Sequence, residues 1–229
     1  QLADYLVKMG AQINGIGTNT IEIEGVQELH PAEITTIPDR IETGTLLIAS
    51  AITNSNITLT GTYSEHLEAV LLKLEDCGCK IIRESNKITV DSKSIELKPV
   101  SITTSIFPGF PTDMQAQWTV LMSVVNGVST VTDTIYFDRF KHVPELNRLG
   151  AQIVLDQNTA VITGVKKLKG AKVMSTDLRA SASLVLAGLI AEGTTEVLRV
   201  YHLDRGYQRI EEKLKSLGAD IQRVESKEY

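Results

Sequence analysis

Gly109-Phe-Pro-Thr-Asp-Met-Gln-Ala-Gln-Trp-Thr-Val-Leu121 is the stretch whose reading decides the fold. Pro111 stiffens the approach, and Thr112 or Asp113 can cap a helix that starts there. Met114, Trp118, Leu121 and Val125 recur at i, i+4, i+7 and i+11, the spacing of a helix with one apolar face. A helix is therefore predicted over 113–126, with Asp113 at its N-terminus. A carboxylate there has two readings. It can accept backbone N–H bonds as an N-cap, with its pKa held down by the positive end of the helix, or it can act on a ligand as a base. Spacing alone favours the cap.

Two further segments, 42–53 and 177–192, belong with this helix. The second, Asp177-Leu-Arg-Ala-Ser-Ala-Ser-Leu-Val-Leu-Ala-Gly-Leu-Ile-Ala-Glu192, is apolar or small on nearly every face, which places it inside the protein, and Leu46, Ile48, Leu184, Leu186 and Ile190 are expected to share that interior. Segments 57–61, 87–92, 100–105, 129–136, 159–165, 171–175 and 194–200 alternate polar and apolar residues, as strands with one wet face do. Helices inside and sheets outside make an α/β arrangement that reverses the doubly wound order.

A second pattern repeats around these segments. A helix, a glycine and a strand recur at 3–13, 66–81, 143–153 and 207–221, and glycines 10, 78, 150 and 218 lie 68, 72 and 68 positions apart. Each glycine stands where a helix C-cap in the left-handed region wants one, so the period of about 70 residues has a mechanism. A boundary is expected near Ile37-Pro38, dividing residues 1–38 from 39–229. Because Leu2 to Leu6 already read as helix, the sequence is expected to be the C-terminal part of a longer protein.

Composition narrows the function classes. The 229 residues, 42% apolar with few aromatics, suit a soluble globular core, and a net charge of −5 argues against a nucleic-acid surface. No apolar run spans a membrane and no charged-then-apolar leader is seen, so the cytoplasm is the expected compartment. Cys77 and Cys79 have one residue between them and no histidine cluster nearby, and read as ordinary helix-end thiols rather than metal ligands.

Phe110-Pro-Thr-Asp-Met-Gln-Ala-Gln117 resembles the hallmark of the UDP-N-acetylglucosamine enolpyruvyl transferases (1-carboxyvinyltransferases). Asp177-Leu-Arg-Ala-Ser-Ala-Ser183 is similar to a second motif of that family, and Ile21-Glu-Ile-Glu-Gly25 and Asp39-Arg-Ile-Glu-Thr-Gly44 extend the likeness over essentially the whole chain. The resemblance implies an inverse α/β barrel built from βαβαββ units, three per domain, with residues 1–38 as the tail of a first domain and 39–229 as most of a second. It further implies that the second domain borrows a strand from the far N-terminus, and that a mobile loop with a reactive Cys lies in a missing upstream half.

The same resemblance assigns the site. Asp113 becomes a catalytic base that also touches substrate, with Thr112 and Ile135 as further substrate contacts. Arg139, Arg179 and Arg205 would hold the phosphate and carboxylate of phosphoenolpyruvate, with Arg205 also acting in catalysis. Guanidinium suits this task because its planar fork meets both anions bidentately and keeps its charge. Without the resemblance, Asp39 and Asp177 are helix caps with Arg40 and Arg179 as local partners, and Arg139 and Arg205 are solvated loop charges. The chain departs from the family pattern at Phe137 and Asp138, where relatives usually carry Glu-Asn, and at Ile135 and Tyr136, which replace Val and Phe. The implied reaction joins phosphoenolpyruvate to UDP-N-acetylglucosamine with no metal or organic cofactor. The alternatives are the shikimate-pathway enolpyruvyl transferase and a non-catalytic repeat module.

Overall fold

The computed structural model describes residues 1–225, which fold as two compact units, Gln1–Asp39 and the residues from Arg40 onward. In the first unit helix α1 (Leu2–Lys8) is followed by Gly10 at φ +102°, and strands β1 (Gln12–Asn14) and β2 (Glu22–Glu24) pair antiparallel with Ile13 opposite Ile23. The His30 amide donates to the Met9 carbonyl at 2.9 Å and brings the chain back to the helix end.

The second unit runs α2 (Arg40–Ile52), β3 (Asn56–Thr60), α3 (Glu68–Asp76), β4 (Lys80–Glu84), β5 (Lys87–Asp91), β6 (Ile102–Thr103), α4 (Gln115–Ser123), β7 (Val128–Thr132), α5 (His142–Arg148), β8 (Gln152–Asp156), β9 (Thr159–Thr163), β10 (Lys172–Met174), α6 (Leu178–Ile190), β11 (Glu196–Leu198) and α7 (Ile210–Ser216). The order β6-α4-β7-α5-β8-β9 is one complete turn of the repeat. The segment α2-β3-α3-β4-β5 matches it without a leading strand, and β10-α6-β11-α7 matches it without the closing pair.

Sheet topology repeats with it. Strands β6 and β7 pair in parallel, as do β10 and β11, while β9 lies antiparallel between β7 and β8 as β5 does between β3 and β4. Side chains alternate on these strands: Ile88, Val90, Val131, Ala160 and Ile162 face inward and are solvent-free, whereas Val154 on the outer face is exposed. The glycines at 78, 150 and 218 take φ of +110°, +92° and +100°, the conformation their repeat spacing required. Residues 219–225 differ from expectation. No described strand bonds to them, and the Ala219 amide turns back to the Leu214 carbonyl at 3.1 Å instead of joining a sheet.

Helices α2, α4 and α6 touch one another at the centre of this unit. Every residue of α4 is buried, and so are residues 180–187 of α6. Ile48, Leu184 and Leu186 are solvent-free, but Leu46 and Ile190 pack on the core while keeping part of their surface in water, so the inner helices are wrapped without being sealed along their whole length. Trp118 fixes α4 in place: its Nε1–H donates to the Val100 carbonyl at 3.0 Å, and its ring meets Phe110 edge-to-face at 5.5 Å. The helix stops at Ser123, short of the predicted 126, because Val124 turns back to Leu121 and Gly127 lies just beyond at φ +126°. Helices inside and strands outside give the inside-out α/β arrangement expected from the sequence.

Candidate active site

Asp113 lies in a 3-10 turn, Thr112–Met114, that leads into α4, and neither that turn nor α4 carries a side-chain cap bond. The cap reading of Asp113 is thereby overturned, and so is that of Thr112. The carboxylate is used sideways instead. Its Oδ1 lies 2.6 Å from Arg139 Nη1, and its Oδ2 accepts a hydrogen bond from Arg179 Nη2 at 2.8 Å. At Asp177 the cap reading holds, since its carboxylate accepts from the backbone N–H groups of Arg179 and Ala180 at 2.8 and 2.9 Å. That cap starts α6 and projects the Arg179 side chain toward Asp113 instead of toward its own neighbour.

Arg139 reaches the same point from the loop after β7, and Asp133 builds that loop. Asp133 is fully buried; its Oδ1 accepts from Thr104 Oγ1 at 2.8 Å and from the amides of Ile135 and Tyr136 at 3.0 and 2.9 Å, while its Oδ2 accepts from Thr112 Oγ1 at 2.5 Å. The only hydroxyl proton of Thr112 is thus committed to Asp133, which leaves the oxygen to accept from Arg139 Nη1 at 3.1 Å. A continuous line of bonds joins Asp133, Thr112, Arg139, Asp113 and Arg179.

Burial alone would push the Asp113 carboxyl up. The charges of Arg179 and then Arg139, with their hydrogen bonds, outweigh burial and hold its pKa below the ordinary carboxylate value. Asp113 is therefore ionised at neutral pH, ready to accept a proton but weakly basic while both arginines stay on it. About a third of its side chain, 34%, remains exposed, so a ligand can reach it.

Asp113, Thr112 and Ile135 line one cleft of about 170 Å³ together with Arg40 and Phe107, and the Arg40 guanidinium lies 5.6 Å from the Phe107 ring centre. This has room for a small polar group and not for a nucleotide. A larger cavity of about 490 Å³, between α6, β11 and residues 220–224, contains none of the predicted site residues. Arg205 ends a 3-10 segment, Val200–Arg205, exposed to solvent, and no described bond ties it to Asp113. Tyr136 lies with its ring centre 5.8 Å from the Arg139 guanidinium; Phe137 is 69% exposed and nothing in the structure explains it.

Two functional-looking residues escaped sequence reasoning. Asp133 was absorbed into a predicted strand, although an Asp followed by Thr at a strand end is the signal of an Asx turn. Tyr207 was read as the first residue of the repeat unit 207–221 and given no role at the site, yet it is buried against Arg179. Cys77 and Cys79 are buried thiols, pushed up by burial to about 11 and about 12, and so stay protonated and unreactive.

A family model described as EPSP synthase (3-phosphoshikimate 1-carboxyvinyltransferase) matches residues 1–214. The chain is 57% identical over 228 residues to a UDP-N-acetylglucosamine 1-carboxyvinyltransferase of Chloroherpeton thalassium, covering 100% of this chain and 53% of that protein. It is 56% identical over 223 residues to the protein of the same name in Magnetococcus marinus, covering 97% and 53%. Among solved structures, the enolpyruvyl transferase NikO from Streptomyces tendae superposes with a TM-score of 0.85 at 30% identity, covering 94% of this chain and 52% of that one. An EPSP synthase from Acinetobacter baumannii shares the fold at a TM-score of 0.65 and 21% identity. The chain spans about half the length of the relatives it matches. By the family match over 214 residues, together with the arginine-flanked Asp113 at the head of a buried helix, this chain belongs to the EPSP synthase (3-phosphoshikimate 1-carboxyvinyltransferase) family of enolpyruvyl transferases.

Proposed function

We propose that the protein to which this chain belongs transfers the enolpyruvyl group of phosphoenolpyruvate to the 3-hydroxyl of UDP-N-acetylglucosamine and releases phosphate, a step toward peptidoglycan. The observation that carries the proposal is the Asp113 carboxylate clasped by Arg139 and Arg179 beside an accessible cleft. Relatives 54% to 57% identical bear the name of that activity, whereas the EPSP synthase named among the solved structures is only 21% identical, which favours the amino sugar over shikimate 3-phosphate as acceptor.

The arrangement suggests how charge is managed. The phosphate and carboxylate of phosphoenolpyruvate compete with Asp113 for Arg139 and Arg179, and each guanidinium drawn onto a substrate anion stops depressing the Asp113 pKa. The base therefore strengthens when the donor binds. Asp113 then takes the proton of the attacking hydroxyl as the carbon–oxygen bond forms, while a group from the upstream half protonates the methylene carbon. Elimination removes a proton from that carbon, restores the double bond and breaks the bond to phosphate oxygen. Thr112 steadies Arg139, Ile135 gives the sugar an apolar contact, and Arg205 joins the anion-binding group once substrate is present. Residues 1–38 serve as the tail of a first domain and 39–229 as the second, and closure of the upstream domain excludes water.

The test is phosphate release by the complete protein, with phosphoenolpyruvate and either acceptor. Turnover is expected with UDP-N-acetylglucosamine and not with shikimate 3-phosphate. The opposite preference, or release of phosphate with neither acceptor, would overturn the proposal.

A further inference from the structure

We propose that Tyr207 is a positioning residue, whose buried ring backs the Arg179 guanidinium and is itself fixed by its hydroxyl to a hydroxyl and amide network on the inner helices, so that the arginine is aimed at Asp113. The proposal rests on the reading of Asp113 and Arg179 as site residues. Tyr207 is 1% exposed, and the Arg179 guanidinium lies over its ring, 6.0 Å from the ring centre. The phenol oxygen is 2.9 Å from Thr45 Oγ1 on α2 and 3.3 Å from Gln117 Nε2 on α4.

Proton accounting gives this network a direction. The hydroxyl of Thr45 donates to the Ile41 carbonyl at 2.8 Å, so its oxygen accepts from Gln117 Nε2 at 3.0 Å and from Tyr207. Tyr207 is then the donor to Thr45 and its oxygen accepts from the amide of Gln117, so both bonds of the hydroxyl hold the ring in place beneath the Arg179 guanidinium. One phenol thereby links α2, α4 and the first turn of α6. Gly206 keeps the segment close, because a Cβ at that position would stand 2.9 Å from Leu178 Cδ2, on the residue before Arg179. The structure thus supplies Arg179 with two holds, Asp113 on one side and Tyr207 on the other, and the second lies deep in the core.

The experiment uses the complete protein and the Tyr207→Phe variant, which keeps the ring and loses the hydroxyl. Among the described residues the charged groups around Asp113 are Arg179 and Arg139, with Arg40 lining the same cleft, and of these Arg179 lies against Tyr207. A looser Arg179 depresses the Asp113 carboxyl less, so the acid limb of the kcat/KM profile moves to higher pH. We expect that shift together with a fall in kcat of about tenfold, and UDP-N-acetylglucosamine affinity changed by less than about threefold. A 13C NMR titration of the Asp113 carboxyl should show the same upward displacement without any turnover. An unchanged carboxyl midpoint and acid limb would overturn the proposal, whatever happens to kcat. Should Tyr207→Phe fail to fold, Thr45→Val removes the acceptor of the phenol proton, and the same upward displacement is expected of it. If instead Asp113→Asn keeps normal turnover, the base reading fails, while the carboxyl titration of Tyr207→Phe still decides the role of Tyr207.

Discussion

His142 offers a prediction whose size can be worked from the structure. Its side chain is 1% exposed at the start of α5, its Nε2 has no partner, and its ring stacks on Phe140 with ring centres 6.1 Å apart. Burial lowers its pKa from 6.5 to about 4, with the Asp177 carboxylate opposing the shift and the Arg139 charge adding to it. Between pH 6.5 and 4 the unfolded chain binds a proton at this residue that the folded chain does not, so stability falls as pH is lowered through that window. The loss comes to about 2 kcal/mol at pH 5 and saturates near 3 kcal/mol below pH 4. Asp113 and Glu75, whose arginine partners hold their carboxyls below the ordinary range, lose their contributions only at lower pH and act alike in wild type and variant. The assay is urea denaturation of wild type and His142→Gln at pH 7.5 and pH 5, monitored by fluorescence of Trp118, the sole tryptophan and fully buried. Wild type should lose about 2 kcal/mol more than the variant between the two pH values. A difference under about 0.5 kcal/mol would refute the reasoning, because a histidine that charges freely contributes no such slope.

Two more expectations concern the helix cap and the proposed upstream half. Asp177→Ala removes the carboxylate that accepts two amides at the start of α6 and should cost about 1 kcal/mol in urea denaturation, whereas Asp177→Asn should cost much less because its side-chain oxygen still caps. Residues 1–229 alone should release no phosphate from phosphoenolpyruvate and UDP-N-acetylglucosamine, and supplying the upstream half should restore release. Turnover by the isolated chain, free of host enzyme, would contradict that assignment of roles.

The inner helices were legible because their signal is local. Met114, Trp118, Leu121 and Val125 form a stripe that burial must cover, and the repeated glycines stand at helix ends whatever surrounds them. The strand predicted over 129–136 ended early at Thr132 because Asp133 bends the backbone into a turn with its own carboxylate. The site was legible only through its motifs. What makes Asp113 more than a cap is its pairing with Arg139 and Arg179, and such pairs across the fold leave no spacing to read. The link from Thr45 to Tyr207 spans 162 positions and was invisible for the same reason. Asp133 was lost because a buried aspartate satisfied by two amides of its own loop and by the hydroxyls of Thr104 and Thr112 looks, in sequence, like any polar residue of a wet strand.

The central claim is that Asp113 takes a proton, and the Asp113→Asn variant of the complete protein tests it most directly. Asparagine keeps the size and one acceptor oxygen but cannot serve as a base, and because the ion pairs are part-exposed their loss should cost little stability. Steady-state phosphate release measured beside thermal denaturation and UDP-N-acetylglucosamine binding on the same samples should show kcat lowered by about 10² to 10⁴, Tm within a few degrees and affinity within about tenfold. Near-normal turnover in Asp113→Asn, or a loss of rate that merely tracks loss of folded protein, would contradict the account.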